Sequence, residues 1–536
     1  MELASGRRFA EATQIHAQPA LGQVLSVSNG ACHCRLSGDM QAARDTAHVG
    51  AHLKIPVDGR WLVAMVYAVR PADGRSLDLE AGFLGEAEAD AQGGLQSFVR
   101  GISRYPAPDE PIYAVSREEL ALVYGAGRAK TIDVGAVHPT HDVRARLKID
   151  SLLAKHFAIL GSSGTGKSTT TALVLHRLLD QLPHAHILML DPHGEYKRAF
   201  GARGHALDVS TLELPYWTMN LQEHCEALVS RDDDSPVQAD ILARCLLTAR
   251  SKSRAALDAG RVMVDSPVPY LMSDLLAALQ SMMGKLDKPE KAAPFLKLKA
   301  RIEELKSDPR YAFMFSGMLV SDSFVEVLNR FFRLRDDGKP IAIVDLSGVP
   351  SDIVKLVVGV LCRLAFDFAQ WSMNVGRPPL VIVCEEAHRY VPALHLDENN
   401  VTRGILERIA KEGRKYGVCL GLVSQRPSDL SESVLSQCGT VLSMRMNNER
   451  DQNFVRAAMP EGGKIFLDAI AALRNRECIV SGEGVAVPMR VALDTLEPER
   501  RPTSDDPIFT ETWSQPAQLD GELIEIIRRW RSQSRE

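Results

Sequence analysis

The sequence predicts an α/β fold in which a parallel sheet, covered by helices on both faces, is interrupted by a helical insertion and preceded by a small β-barrel. Three observations predict it. Short, mostly apolar, β-branched-rich runs recur at Phe157–Leu160, Ile187–Asp191, Ile341–Leu346, Leu380–Glu385, Val418–Ser424 and Val441–Met446, with helical patterns between most of them; strands buried on both faces need that texture. Between Leu221 and Asp337 the pattern is almost wholly helical. From Leu21 to Tyr124, short alternating runs are divided by Gly, Asp and Pro, the spacing of an antiparallel sheet or barrel.

Composition bounds the rest. With 536 residues, 45% hydrophobic and 24% charged, the chain sits near the averages of soluble globular proteins, which excludes a largely disordered, collagen-like or membrane-embedded chain. The net charge of −5 excludes an overall basic field, so any contact with nucleic acid must be local. Nine cysteines, an odd number thinly spread and partly in apolar runs, read as reduced core residues of a cytosolic protein. The N-terminal segment lacks the apolar stretch of a signal peptide. The strongest apolar run, Leu356 to Leu364, is cut by Arg363 and falls short of the roughly 20 residues that span a bilayer. No membrane anchor is expected.

Along the chain, Cys32, His33 and Cys34 first invite a metal reading. A strand points both thiols to one face and no second ligand pair follows at finger spacing, so the expectation is a core position. The segment His138–His156 reads as a short connection. Next comes Gly161-Ser162-Ser163-Gly164-Thr165-Gly166-Lys167-Ser168, after the strand Phe157–Leu160 and opening a helix that continues through Thr169. This is the phosphate-loop pattern in its confirming context. Glycines let successive N–H groups and the helix N-terminus converge on phosphate oxygens, Lys167 neutralises the β- and γ-phosphates of ATP, and Ser168 is placed to ligate Mg2+.

Hydrolysis also needs acids at the end of another strand. Glu385 and Glu386 follow the apolar run from Leu380; Glu385 takes the metal side, directly or through water, and Glu386 polarises the attacking water. Asp191 and Glu195 stand at another strand end, where they either contact the Mg2+–water shell or cap the following turn. For Asp345 a turn role is at least as fitting. Gln425, after the strand Val418–Ser424, is placed to sense the γ-phosphate, or is a loop amide. Arg403, Arg408, Lys411, Arg414 and Lys415 lie on one expected helix, Val401–Tyr416, stopped by Gly417; its five basic and two acidic residues give a local charge of +3. Either this is a solvated face, or an arginine, Arg414 before Arg408, reaches a neighbouring subunit's γ-phosphate or lines a DNA channel. Beyond Thr495 come Pro498, Pro502, Pro507 and Pro516, then a short helical pattern; such a tail lies across another surface rather than forming a core.

Together the strings AKHFAILGSSGTGKSTT, LDPHGEY, LPYWTMN, DPRYAFMF, GKPIAIVDLSGVP, CEEAH and AKEGRKYGVCLGLVSQRPSDLSESVLSQC resemble the HerA family of hexameric DNA-translocating ATPases, in the HerA/FtsK branch of the RecA-like P-loop proteins. They extend over most of Leu152–Arg450. The family norm at the first acidic position is Asp, and Glu385 departs from it by one methylene. The resemblance implies a barrel of the HAS type over residues 1–140, a RecA-like core in two parts (141–220 and 338–495) around a helical insertion (221–337), and a C-terminal brace (496–536). It also implies a homo-oligomeric ring of six with ATP between subunits, double-stranded DNA in the pore, and a partner nuclease or sirtuin-like effector in end processing or anti-phage defence. A conjugation- or secretion-type export ATPase and a nucleotide-gated scaffold for an effector are the competing expectations.

Overall fold

The computed structural model describes residues 19–37, 47–72, 76–140, 142–258, 260–284, 289–316, 319–373, 375–376, 378–393, 401–459, 464–503, 509–514 and 521–532. The chain divides into two compact units. The first comprises Met1–Pro183, Ser372–Asn400 and Leu406–Leu496; the second comprises His184–Trp371, Val401–Ile405 and Glu497–Glu536.

The first unit opens with a sheet of seven strands: β1 (Gly22–Ser28), β2 (Ala31–Leu36), β3 (His52–Val57), β4 (Arg60–Pro71), β5 (Leu77–Ala89), β6 (Leu95–Arg100) and β7 (Pro111–Ala114). Their order is β2-β1-β7-β3-β4-β5-β6, and β2 pairs back onto β5. Six antiparallel strands therefore close into a barrel, with β6 added outside on β5. Closure needs strong local bending, and β4 and β5 supply it with bulges between Val63 and Ala64 and between Val66 and Ala68. Alternate residues of each strand fill the interior, among them Val24, Leu53, Ile55, Leu62 and Leu79. Cys32 and Cys34 belong to that core, both fully buried, with their sulfurs 3.6 Å apart. The neighbouring thiol and burial push the Cys32 thiol far above its ordinary range, as expected of inert packing groups.

The remaining strands are β8 (Thr131–Val137), β9 (Arg144–Lys148), β10 (Phe157–Leu160), β11 (Ile187–Asp191), β12 (Gly204–Leu207), β13 (Ile341–Asp345), β14 (Leu380–Cys384), β15 (Val418–Ser424), β16 (Thr440–Met444), β17 (Glu477–Gly482) and β18 (Met489–Leu493). Seven helices matter below: α1 (Lys167–Gln181), α2 (Ser235–Ser251), α3 (Met272–Met283), α4 (Ala293–Ser307), α5 (Val354–Trp371), α6 (Val401–Tyr416) and α7 (Glu522–Ser532).

Within the first unit β14, β15, β10 and β16 run parallel, and β17, β18, β8 and β9 extend the same sheet antiparallel. The stretch expected to be a connection, His138–His156, thus contains β9 and a short helix, Ile149–Ala154. Its hairpin partner β8 lies on the N-terminal side of residue 140, the expected barrel boundary, yet both strands belong to this second sheet. Periodicity identifies a strand but not the sheet it joins.

In the second unit β12, β13 and β11 run parallel, and helices α2, α3 and α4 pack together in the stretch expected to be helical. Two arginines, one buried and one largely so, bridge segments of this unit. Arg250 is wholly inaccessible and donates to the carbonyls of Trp217 (3.2 Å), Met219 (2.6 Å) and Val264. Arg363, the charge that interrupts the apolar run of α5, pairs with Glu223 (2.7 Å) and Asp367 (2.8 Å) and donates to the Thr218 carbonyl (2.7 Å). Satisfied in this way, a charge is tolerated on a packed helix face. Of the tail, Thr503 N–H donates to the Glu195 carbonyl (3.1 Å), while α7 carries exposed Ile524 and Trp530 (each 74%). Pro507 and Pro516 lie outside the described residues. No helix among the described residues is long and apolar enough to cross a membrane.

Candidate nucleotide-binding site

Strand β10 is buried throughout and lies between β15 and β16. Its end delivers the chain into the loop 161–166, anchored on both sides: Gly161 N–H donates to the Ser424 carbonyl (3.3 Å) and Ser162 N–H to the Arg445 carbonyl (2.9 Å). Gly164 and Gly166 hold φ of +74° and +100°, which L side chains adopt only under strain. These turns curl the loop over the N-terminus of α1. Thr165 Oγ1 and Lys167 Nζ both donate to the Ser162 carbonyl, at 2.8 and 3.0 Å. Lys167 is 8% exposed, so its charge sits in a poorly solvated position beside the helix N-terminus, where an anion is favoured by both. Ser163 is exposed, and Ser168 and Thr169 are half-buried at the loop side of α1.

The acidic strand end lies two strands away in the same unit. Leu380–Cys384 is fully buried against β15, and the chain leaves it through Glu385, 6% exposed, and Glu386. Glu386 adopts φ +50°, ψ +46°, a left-handed conformation that costs a non-glycine residue roughly 1–3 kcal/mol. It starts the single turn Ala387–Arg389, closed by Arg389 N–H donating to the Glu386 carbonyl (2.8 Å). The Glu386 side chain is 12% exposed, and its buried Oε2 has no hydrogen-bond partner among the described residues. Between the two ends, β15 terminates at Ser424, wholly buried, followed by half-buried Gln425. The parallel register, Leu160 beside Ser424 and Cys384 beside Leu422, brings Lys167, Ser168, Glu385, Glu386 and Gln425 to the same edge of one sheet.

The residues at this edge that could hold Mg2+ are Ser168, through its hydroxyl, and Glu385, through its carboxylate. Both are hard oxygen ligands of the kind the ion prefers, few in number and so leaving room for water and phosphate oxygens. In the second unit, Asp191 is 1% exposed and accepts N–H bonds from His193 (3.2 Å), Gly194 (2.9 Å) and Tyr196 (2.9 Å); this is the turn-capping arrangement. Burial, first of all, pushes its carboxyl above the ordinary range. Asp345 stands beside it in register and accepts from Ser347 N–H (2.9 Å).

Helix α6 carries the basic residues. Gly417, φ +74°, ends it, as its position in the sequence anticipates. Buried Leu406, Ile409 and Ala410 form its inner face, leaving Arg408, Lys411, Arg414 and Lys415 exposed and Arg403 half-buried. Arg408 Nε lies 3.7 Å from Glu412 one turn on.

Two further residues at this edge carry no role in the sequence reading. His388 Nδ1 is 3.2 Å from both Glu386 Oε2 and Ser424 Oγ. Arg476, exposed with φ +65°, donates its backbone N–H to the Thr165 carbonyl (3.3 Å) beside the loop. Neither follows from spacing along the chain; a histidine two residues beyond a strand-end acid is the only signal for the first.

Residues 132–365 match the model of the helicase HerA central domain. Over 471 residues the chain is 25% identical to the DNA double-strand break repair helicase HerA of Pyrococcus furiosus, covering 80% of this chain and 78% of that protein. It is 28% identical to the protein of the same name from Saccharolobus solfataricus, covering 73% and 74%. Among solved structures, VirB4 of Thermoanaerobacter pseudethanolicus superposes with a TM-score of 0.50 at 16% identity, covering 70% of this chain and 99% of that one, a likeness of fold. A phosphate loop and strand-end acids at one sheet edge, in a chain similar to the HerA helicases over most of its length, mark the protein as a P-loop ATPase.

Proposed function

We propose that the protein is an ATP- and Mg2+-dependent motor that translocates along double-stranded DNA as a ring of six identical subunits. The observation that carries the reading is the convergence of Lys167, Ser168, Glu385, Glu386 and Gln425 on one sheet edge. The names of the relatives, DNA double-strand break repair helicases, supply the substrate. On this reading the loop N–H groups and Lys167 hold the β- and γ-phosphates. Ser168 and Glu385 hold Mg2+, which supplies charge neutralisation on the phosphates when bound. Glu386 orients and accepts a proton from the attacking water, and Gln425 registers the γ-phosphate. Arg414, with Arg408 second, reaches a neighbouring subunit's nucleotide from α6.

Contacts to DNA are then made to phosphates by local basic residues, so binding is sequence-tolerant and weakens with salt. The nine cysteines, all free thiols, suit the cytoplasm as its compartment. On the family resemblance, the ring delivers DNA to a nuclease or a sirtuin-like effector.

The deciding experiment measures ATP turnover with and without duplex DNA. We expect DNA to stimulate the intact protein and Lys167→Ala to abolish both basal and stimulated turnover. Turnover indifferent to duplex DNA would overturn the motor reading.

A further inference from the structure

The turn that carries Glu386 places a second polar side chain beside it. Because Glu386 begins the turn in a left-handed conformation, the side chains of Glu386 and His388 emerge on the same side. Nδ1 of His388 lies 3.2 Å from Glu386 Oε2 and 3.2 Å from Ser424 Oγ. Only the second contact has hydrogen-bond geometry, and the buried Glu386 Oε2 has no hydrogen-bond partner among the described residues. An imidazole nitrogen carries one proton or one lone pair, so Nδ1 serves one of these oxygens at a time. Burial, the largest influence, lowers the His388 pKa below its ordinary value despite the Glu386 carboxylate, with Arg426, Asp429 and Arg389 also facing the ring; a neutral ring therefore has a single proton to place.

Ser424 is not a passive partner. It ends β15 immediately before Gln425, and its Oγ also accepts the Arg426 N–H (3.1 Å). Beyond these side chains the two loops are joined by main-chain bonds, Ser431 N–H to the Val391 carbonyl (3.0 Å) and Ala393 N–H to the Asp429 carbonyl (2.8 Å). The two loops are thus tied together at their far ends, and the His388–Ser424 contact joins them beside Glu386.

We propose that His388 is a positioning residue for Glu386: its Nδ1–H is given either to the Ser424 hydroxyl or to the Glu386 carboxylate, so that the turn bearing Gln425 controls where the water-activating carboxylate stands. The inference rests on the reading of Glu386 as that carboxylate. It assigns His388 no contact with nucleotide. It makes the γ-phosphate contact at Gln425 and the carboxylate two strands from the phosphate loop parts of one hydrogen-bonded device.

The test is steady-state ATP turnover of the full chain. His388→Ala is expected to lower kcat roughly ten- to a hundredfold, the scale of a misplaced catalytic group, while KM for ATP stays within about twofold. His388→Asn puts an amide N–H where Nδ1 stands and is expected to restore most of the loss; His388→Gln reaches the Nε2 position and is not. In the Glu386→Gln background, His388→Ala should cost nothing more, because a group acting through Glu386 has nothing left to position. Losses that multiply in the double variant, or an Asn variant as slow as the Ala variant, overturn the proposal. Wild-type turnover in Glu386→Gln alone would instead remove the assignment of Glu386, a separate failure. Binding of a fluorescent ATP analogue reports folding, and if His388→Ala loses it, Asn against Gln decides the matter.

Discussion

Glu386 is held in a conformation that glycine would occupy at less cost, with a buried carboxylate oxygen that has no hydrogen-bond partner among the described residues. Both features are unfavourable for stability, and a strained polar residue at a strand end fits the role proposed for it. We expect Glu386→Gln to keep the shape of the site and to bind ATP, but to lose turnover by on the order of a hundredfold or more, since only the proton acceptor is removed. Equilibrium nucleotide binding and steady-state hydrolysis measure the two halves separately; turnover at the wild-type rate would refute the role. The placement of Lys167, Ser168, Glu385 and Glu386 beyond strand ends is legible in the sequence because each follows an apolar strand at fixed spacing. His388 and Ser424, 36 residues apart, were not, because the strand pairing that brings them together leaves no local trace.

Helix α6 shows the same limit for an element. Its ends and its exposed basic face follow from periodicity and from Gly417. The reason for Gly413 comes from tertiary packing alone: a Cβ there would lie 2.6 Å from the Val418 carbonyl oxygen and 3.4 Å from the His156 ring. That ring is fixed, bonding the Ala410 carbonyl (2.9 Å) through Nε2 and accepting the Leu420 N–H (2.9 Å) on Nδ1. Neither the backbone oxygen nor the doubly bonded imidazole can yield cheaply. Gly413→Ala is therefore expected to destabilise by about 1–3 kcal/mol, as overpacking does, although alanine is the better helix former. A denaturation midpoint equal to the wild type would show that the helix moves aside. Likewise the parallel strands β10, β11, β13, β14, β15 and β16 are legible as apolar runs, whereas the antiparallel pairing of β17, β18, β8 and β9 onto β16 is not. Sheet edges carry mixed, shorter patterns that resemble the connections between them.

At the scale of the molecule, a net charge of −5 together with an exposed stretch of Arg408, Lys411, Arg414 and Lys415 on α6 sets a local cationic face on an acidic body. If that face completes a neighbour's nucleotide site, catalysis belongs to the interface between subunits and not to either subunit. In a closed ring every interface is head to tail, so one subunit gives Glu386 and the next gives Arg414. Arg414→Ala and Glu386→Gln should then each be nearly inactive alone. Mixed in equal amounts and allowed to exchange subunits, they should regain activity, because an Arg414→Ala subunit followed by a Glu386→Gln subunit forms a complete site. Random assembly places that order at about a quarter of the interfaces, which sets the ceiling for recovery. The check is steady-state turnover of the mixture, with exchange followed by energy transfer between labelled subunits. Demonstrated exchange with no gain in turnover would mean that Arg414 acts within its own chain or belongs to a solvated face, and the basic stretch would then be available only for DNA.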